Sequence, residues 1–402
     1  MPRPAHIAMV GTPLVGHVLP SLEIIRELVA RGHRVTYATA APVAGLITPT
    51  GAELVGITST LPVAERDWPQ DLIASASVFL DEAMAVLPQL HAAYDDDPAD
   101  LYLYDVGGYA GRALAEAQGR GLVQLSATHV AWEGAQEEIG TAFADLPGGL
   151  AYRARFAAWL DRCGATTTNV EEFTGRPQRV LAMIPRAMQP HADRVDTEAV
   201  TFVGACLGTG QKQDGWMRPA GAHKVLLVSL AGSAYAGPQE IYHQCAAAFA
   251  DLPGWHVVLQ TGGGGDTAQR IPRNFEVRPW GTPLTILEQA DVWVTHTSVG
   301  SSSQGLYAGV PMIAVPDGPD QSLHADRLVE LGVARRIDTA DVTAETLRTA
   351  LMQLIGDPQV ATRSAWLWSE VRAEGGTRRA ADLIEERLAE ERVGRLSRPG
   401  RG

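Results

Sequence analysis

Cysteine is scarce and scattered in this chain: Cys163, Cys206 and Cys245 form no CxxC pair, which argues against a disulfide framework or a sequence-local zinc site and fits a reducing cytoplasm. Lysine is scarcer, present only at Lys212 and Lys224, and the net charge is -13. Nucleic acid and anionic membrane are therefore not expected as partners, because both require clustered basic residues. No run of about 18 apolar residues is expected to cross a bilayer. The first residues lead almost directly into a strand-like segment, without the basic and apolar regions of a leader. A cytoplasmic protein is the expectation.

Several familiar motifs are also missing. Gly11 and Gly16 have the spacing of a phosphate loop, but His17 and Val18 stand where that loop needs Lys and Ser or Thr. No GxGxxG follows the first strand, so a dinucleotide fingerprint has no support there. Ser229, Ser233 and Ser298 lie in no GxSxG, which disfavours a serine hydrolase. The acidic run YDDDPAD resembles a metal-binding DxD, yet it precedes a strand in a charged connector and is expected to be solvated. The glycine run Gly262 to Asp266 lacks phosphate-loop partners and is expected to be a loop.

What is present is alternation. At 402 residues, 46% of them hydrophobic, the chain exceeds the size at which one core keeps growing, so two domains are expected. HIAMVG is a buried strand by length and composition. Leu22, Ile25, Leu28 and Val29 then recur at helical spacing, stopped by Gly32. HRVTYAT, LYLYD and LVQLS continue as strands, with helices over SVFLDEAMAVLPQLHAAY and GRALAEAQGRG, while residues 42–62 are rich in Gly, Thr and Pro and residues 133–180 are mainly helical and loop-like. A polar, turn-rich stretch over 206–223 precedes a second alternation of KVLLVSL, WHVVLQT, NFEVRPW, VWVTH and VPMIAVP with helices. The pattern predicts two α/β domains, each a doubly wound parallel sheet, facing each other across a cleft. Past Thr343 the chain is mostly helical, with the tail GRLSRPGRG expected to be disordered.

His17 falls in the loop after the first strand and Asp105 ends the strand LYLYD, so both side chains can reach the carboxyl edge of one sheet, where ligands bind in such folds. A carboxylate there would fix the imidazole tautomer and stabilise the imidazolium. DVGG is equally readable as a simple turn. In the second half, His296 is followed by TSVGSSSQG and an apolar helix, a helix N-terminus suited to a diphosphate, though Ser is also an ordinary cap. Asp320 and Gln321 follow a strand and could bracket sugar hydroxyls or serve as turn and cap, and Trp280 could stack on a base or pack.

Taken together the residues resemble the macrolide glycosyltransferases of the UDP-glycosyltransferase superfamily, of the oleandomycin-inactivating type. The resemblance runs over nearly the whole chain, through AHIAM, GHVLPSLEIIRELVARGHRVTYA, FLDEAMAVLPQL, QPHADRVD, TFVGAC, LPGWHVVLQ, VPMIAVP and EGGTRRAADLIE. It implies a GT-B fold, with an acceptor-binding domain over 1–205, a linker over 206–223, a nucleotide-sugar domain over 224–375, and a last helix plus tail over 376–402 returning to the first domain. It implies His17 as the base and Asp105 as its partner in an inverting, metal-independent displacement. It places Ser233, Trp280, His296, Gly300, Ser301, Ser302, Gln304, Asp320 and Gln321 at the donor. Phe79, Trp132 and Phe143, aromatic residues between sheet elements, are the candidate acceptor contacts.

The departures fall on the donor side. The family's Trp-x-Pro-Gln is Trp280-Gly281-Thr282-Pro283 here, its His-x-Gly is His296-Thr297-Ser298, and its ribose-binding Glu is Gln304. Its Leu-Gly-Ser turn becomes Leu230-Ala231-Gly232-Ser233, with one residue inserted, and Leu19 stands where many relatives have Asn. The leading expectation is sugar transfer from a UDP- or dTDP-linked co-substrate, with no other cofactor, to a hydroxyl of a macrolide or polyketide, with altered donor preference, by a monomer or homodimer. Two rivals stand beside it. One is a donor-degenerate homologue using His17 and Asp105 for cyclisation or elimination, and the other is a non-catalytic helper.

Overall fold

The computed structural model describes residues 4–62, 67–208, 215–230, 238–261, 271–279 and 284–396. Two compact units divide the chain: Met1–Gly208 with Glu374–Gly402, and Thr209–Ala373. The first is built on a parallel sheet of β1 (His6–Val10), β2 (Arg34–Thr39), β3 (Glu53–Gly56), β4 (Leu101–Asp105), β5 (Gly121–Ser126), β6 (Val180–Ala182) and β7 (Val200–Phe202). Their order is β3-β2-β1-β4-β5-β6-β7. The chain winds one way from β1 to β3 and then the other way from β4 onward, so β1 and β4 are neighbours at the reversal.

Alternate residues of these strands feed two cores, as a sheet covered on both faces requires. Ile7, Met9, Tyr37, Leu101, Leu103 and Leu125 meet the helix Leu22–Ala30 on one face. Ala8, Val10, Tyr102 and Tyr104 meet the helices Leu72–Tyr94, Tyr109–Ala117 and Gly149–Cys163 on the other. Leu22, Ile24, Ile25 and Leu28 are all buried on their short helix, and each such side chain contributes about 1.5–3 kcal/mol relative to exposure. Gly111 lets the helix after β4 lie against β1, because a Cβ there would sit 2.7 Å from Cβ of Val10.

Helix Leu72–Tyr94 corrects one expectation. It is long and apolar enough, by length and composition, to cross a membrane. It is nevertheless built into the protein core through Leu80, Ala83, Val86, Leu87, Leu90 and Tyr94, and Asp71 caps its start by accepting the Ala74 N–H at 2.8 Å. Residues 42–62, read in the sequence only as rich in Gly, Thr and Pro, hold most of the helix Ala41–Ile47 and all of β3. The helix Gly376–Leu396 takes in the first residues of the expected tail and lays Ala380, Ala381, Ile384 and Leu388 into the core beside Leu22–Ala30. Arg31 holds it with ion pairs to Asp382 and Glu385, both at 2.7 Å.

The second unit carries β8 (Lys224–Ser229), β9 (Trp255–Thr261), β10 (Phe275–Pro279), β11 (Val292–Thr295), β12 (Met312–Ala314) and β13 (Ala334–Arg336), again all parallel, in the order β10-β9-β8-β11-β12-β13. Here the winding reverses between β8 and β11. Leu226, Val228, Val257, Leu259, Val292, Val294 and Ile313 form one core face, covered by Phe249 and by Leu347, Leu351 and Leu354 of helix Ala344–Gly356.

Candidate active site

The loop leaving β1 makes a tight turn, with the Leu14 N–H donating to the Thr12 carbonyl at 2.8 Å, and enters the short helix Val15–Val18 that carries His17. Gly11 begins it because a side chain there would collide with the Tyr37 ring, its Cβ falling 2.5 Å from the phenol oxygen. Since β4 lies beside β1, Asp105 at its end meets that helix: Nδ1 of His17 is 2.6 Å from Oδ2 of Asp105. Asp105 is 2% exposed, whereas the His17 side chain keeps 29% of its surface open.

Asp105 has three donors. Beyond His17, its Oδ1 accepts the Thr12 hydroxyl at 2.5 Å and the Gly107 N–H at 2.7 Å. The Gly107 contact closes an Asx turn, and Gly108 donates to the Asp105 carbonyl at 2.8 Å, so the turn reading and the partner reading of this residue are both satisfied. A carboxylate that only accepts leaves Nδ1 of His17 as the donor, so Nε2 is the acceptor in the neutral ring. Among the described residues nothing is hydrogen-bonded to Nε2. Burial by itself would lower the imidazole pKa, but the Asp105 charge and the hydrogen bond to it overcome that and raise it above the ordinary 6.5. The pair has the geometry of a general base with its orienting acid.

Of the aromatic candidates, Phe79 borders the turn after Asp105: a Cβ on Gly107 would lie 3.2 Å from Cδ1 of Phe79 and 2.8 Å from the Thr12 hydroxyl. Trp132 stands in the segment after β5, its ring 5.0 Å from that of His191, with Nε1 buried and without a hydrogen-bond partner among the described residues. Phe143 packs edge-on against Tyr152 at 5.7 Å, over the core. Thr12 and Gly107 are the hydrogen-bond partners of Asp105 that sequence reasoning missed. The glycine pair after Asp105 was the available signal for the second, and none existed for the first.

In the second unit, β11 ends at Thr295 and the loop His296 to Ser298 leads into helix Val299–Ala308. Ser298 caps that helix, accepting the Ser301 N–H at 3.2 Å, and Ser301 spends its own hydroxyl on the Ser298 carbonyl at 3.1 Å. Among the described residues, a Cβ on Gly300 would find nothing nearer than the Ser298 hydroxyl at 4.0 Å, so no side chain of these blocks it. His296 Nδ1, Ser302 Oγ and Gln304 Oε1 are buried without a hydrogen-bond partner among the described residues. Burial holds the His296 imidazole below its ordinary pKa against the opposing charge of Asp320. Helix Pro319–Glu330 puts Asp320, exposed, and Gln321 in its first turn, where Oε1 of Gln321 accepts the Asp317 N–H at 2.9 Å. Ser233, Trp280 and the other residues of 280–283 lie outside the described residues, as does the run 262–270.

Thr297, at the centre of this loop, is a β-branched residue at φ 56°, in the left-handed region that such residues rarely enter. Its carbonyl lies 3.1 Å from Nδ1 of buried His324, and its hydroxyl lies 2.7 Å from the His296 carbonyl and 3.0 Å from that of Gln321. Backbone in such regions costs about 1–3 kcal/mol and persists where surrounding bonds fix it. These bonds tie the loop to the helix bearing Asp320 and Gln321. Thr297 and His324 were not singled out in the sequence. No group of three or more His, Cys, Asp or Glu side chains is placed to hold a metal ion among the described residues, and Asp97 of the acidic run pairs with Arg34.

Known proteins match this chain closely. A family model described as "Erythromycin biosynthesis protein CIII-like, C-terminal domain" matches residues 251–386. Oleandomycin glycosyltransferase of Streptomyces antibioticus is 48% identical over 394 residues, covering 96% of this chain and 91% of the relative. NDP-glycosyltransferase YjiC of Bacillus licheniformis is 33% identical over 399 residues, covering 96% and 98%. The crystal structure of the glycosyltransferase of kitacinnamycin superposes with a TM-score of 0.87 at 48% identity, covering 96% of this chain and all of that one. With two doubly wound parallel sheets and relatives this similar along almost its full length, the chain belongs to the macrolide glycosyltransferases of the UDP-glycosyltransferase superfamily and has their GT-B fold.

Proposed function

We propose that this enzyme transfers a sugar from a UDP- or dTDP-linked donor to a hydroxyl of a macrolide or related polyketide, using His17 as general base. The observation that carries the reading is the 2.6 Å bond from His17 to buried Asp105, which leaves Nε2 unengaged among the described residues. In the reaction Nε2 takes the acceptor hydroxyl proton, and the oxygen attacks the anomeric carbon opposite the leaving diphosphate. The bond from that carbon to the diphosphate breaks, and configuration inverts. Asp105 stabilises the imidazolium that results. No metal enters the scheme: the diphosphate charge is assigned to the start of helix Val299–Ala308, with its open Gly300, and to neutral His296 and Ser302. Phe79, Trp132 and Phe143 are assigned to an apolar acceptor held mainly by burial. The relatives support transfer over both rival readings, cyclisation or elimination without a donor and a non-catalytic helper.

Incubation with oleandomycin and either UDP-glucose or dTDP-glucose tests the proposal by product mass. Gain of one hexosyl unit, dependent on the nucleotide-sugar, is expected. An isomer or water-loss product formed without any donor would refute it.

Donor preference is proposed to depart from ordinary UDP-glucose use, supported by the neutral amide of Gln304, whose oxygen is buried and has no partner among the described residues. A carboxylate accepts from a ribose hydroxyl more strongly than an amide does. Gln304→Glu should therefore tighten UDP-sugar binding by about 1 kcal/mol or more, measured by titration calorimetry. Unchanged or weaker binding would remove Gln304 from the donor site.

A further inference from the structure

Oδ1 of Asp105 has no part in the scheme above, yet it is the better-furnished oxygen. We propose that Thr12 is a positioning residue for the transfer reaction: its hydroxyl, together with the Gly107 amide, saturates Oδ1 of Asp105, so that Oδ2 alone is presented to Nδ1 of His17. The proposal rests on the reading of His17 as base, and its test separates the two.

Three observations support it. The bond direction is fixed, because an ionised carboxylate only accepts, so the Thr12 hydroxyl at 2.5 Å must donate. Thr12 is 4% exposed, and its carbonyl begins the turn that carries His17, so one residue grips the acid with its side chain and the base's helix with its backbone. Position 107 is vacated for this contact: any side chain there would bring Cβ to 2.8 Å from the Thr12 hydroxyl. With donors on both oxygens the carboxylate cannot turn about χ2 and exchange them without losing a bond. The imidazole then stays in one orientation with Nε2 toward the acceptor, the condition for a proton transfer whose geometry tolerates little error.

The hydroxyl also draws charge from the carboxylate. Without it more negative charge would face Nδ1 of His17 and stabilise the imidazolium further, so the imidazole would take up its proton at higher pH. Tyr37 from β2 and Tyr109 from helix Tyr109–Ala117 also feel the Asp105 charge. Burial pushes the Tyr109 phenol up to about 12 and raises that of Tyr37 as well, so neither titrates in the working range.

The test uses the full chain with oleandomycin and the nucleotide-sugar it accepts, and compares wild type with Thr12→Val, Thr12→Ala and Thr12→Ser. Val and Ala should each lower kcat by about 10-fold or more, with KM for both substrates within about 2-fold, and should move the acid limb of the kcat/KM profile to higher pH. Ser should restore both rate and profile. Ala guards against a failure of Val to fold, since it removes the hydroxyl without placing a methyl beside the carboxylate. Wild-type kcat and an unmoved profile in Ala or Val would overturn the proposal. So would a Ser variant as impaired as Ala, which would mean that the methyl group's packing matters and the hydroxyl does not. His17→Ala run alongside isolates the underlying reading: if it stays active, the base assignment falls and Thr12 falls with it, whereas an inactive His17→Ala beside a normal Thr12→Ala overturns Thr12 alone.

Discussion

His17→Ala should lower turnover by about two to four powers of ten while the protein remains folded. The magnitude follows from what is lost: without Nε2 the acceptor oxygen must attack while still carrying its proton. The fold should survive because His17 sits on a four-residue helix with 29% of its side chain exposed, so truncation opens no core cavity. In the wild type the base must be neutral. Because the Asp105 pair raises the imidazole pKa, kcat/KM should fall with falling pH about a midpoint above 6.5. Initial-rate measurements across pH check both points. Turnover within a few-fold of wild type in His17→Ala would remove this residue from the mechanism.

Asp105→Asn should be comparably damaging, for a reason visible in its three donors. His17 Nδ1, the Thr12 hydroxyl and the Gly107 N–H all point at the carboxylate, which meets them with two oxygens. An amide has one oxygen, so either His17 or the Thr12 and Gly107 pair must face an NH2 group. The first outcome forces the wrong imidazole tautomer and the second sets the Gly107 N–H against another donor, and in neither case does a negative charge remain to stabilise imidazolium. A loss of about two to four powers of ten in kcat is expected, with the acid limb displaced to lower pH. A normal rate and an unmoved profile in Asp105→Asn would reduce Asp105 to a turn residue.

Much of the fold is legible in the sequence where a segment is long enough to carry a period. HIAMV, LYLYD and KVLLVS are strands because five or six apolar-rich residues bounded by turns have few alternatives. Val180–Ala182, Val200–Phe202 and Ala334–Arg336 escape because three residues hold no alternation, and only sheet pairing makes them strands. Ala41–Ile47 is disguised by Pro42 and Gly45, the first of which falls harmlessly in the opening turn of the helix. The His17 and Asp105 pair is legible as two residues at one sheet edge, but their contact depends on β1 and β4 being neighbours at the reversal. Thr12 meets Asp105 across 93 positions of sequence, and no local pattern records that. The left-handed backbone of Thr297 leaves no mark in the sequence, because such a conformation is legible only where the residue is glycine.

The last helix has a consequence for how the protein is made. Ala380, Ala381, Ile384 and Leu388 belong to the same core as Ile7, Met9 and Leu28, so residues from the two ends of the chain close one layer of the first sheet. Gly121 at the start of β5 admits the helix, for a Cβ there would run into Cγ of Glu391. During synthesis at about 5–20 residues per second, the first sheet must therefore wait, one apolar face incompletely covered, until the entire second unit has emerged. The second unit, continuous in sequence from Thr209 to Ala373, has no such wait. The chain thus assembles the unit that bears His17 last, although it is translated first, and the interval before that closure is when it is most open to aggregation.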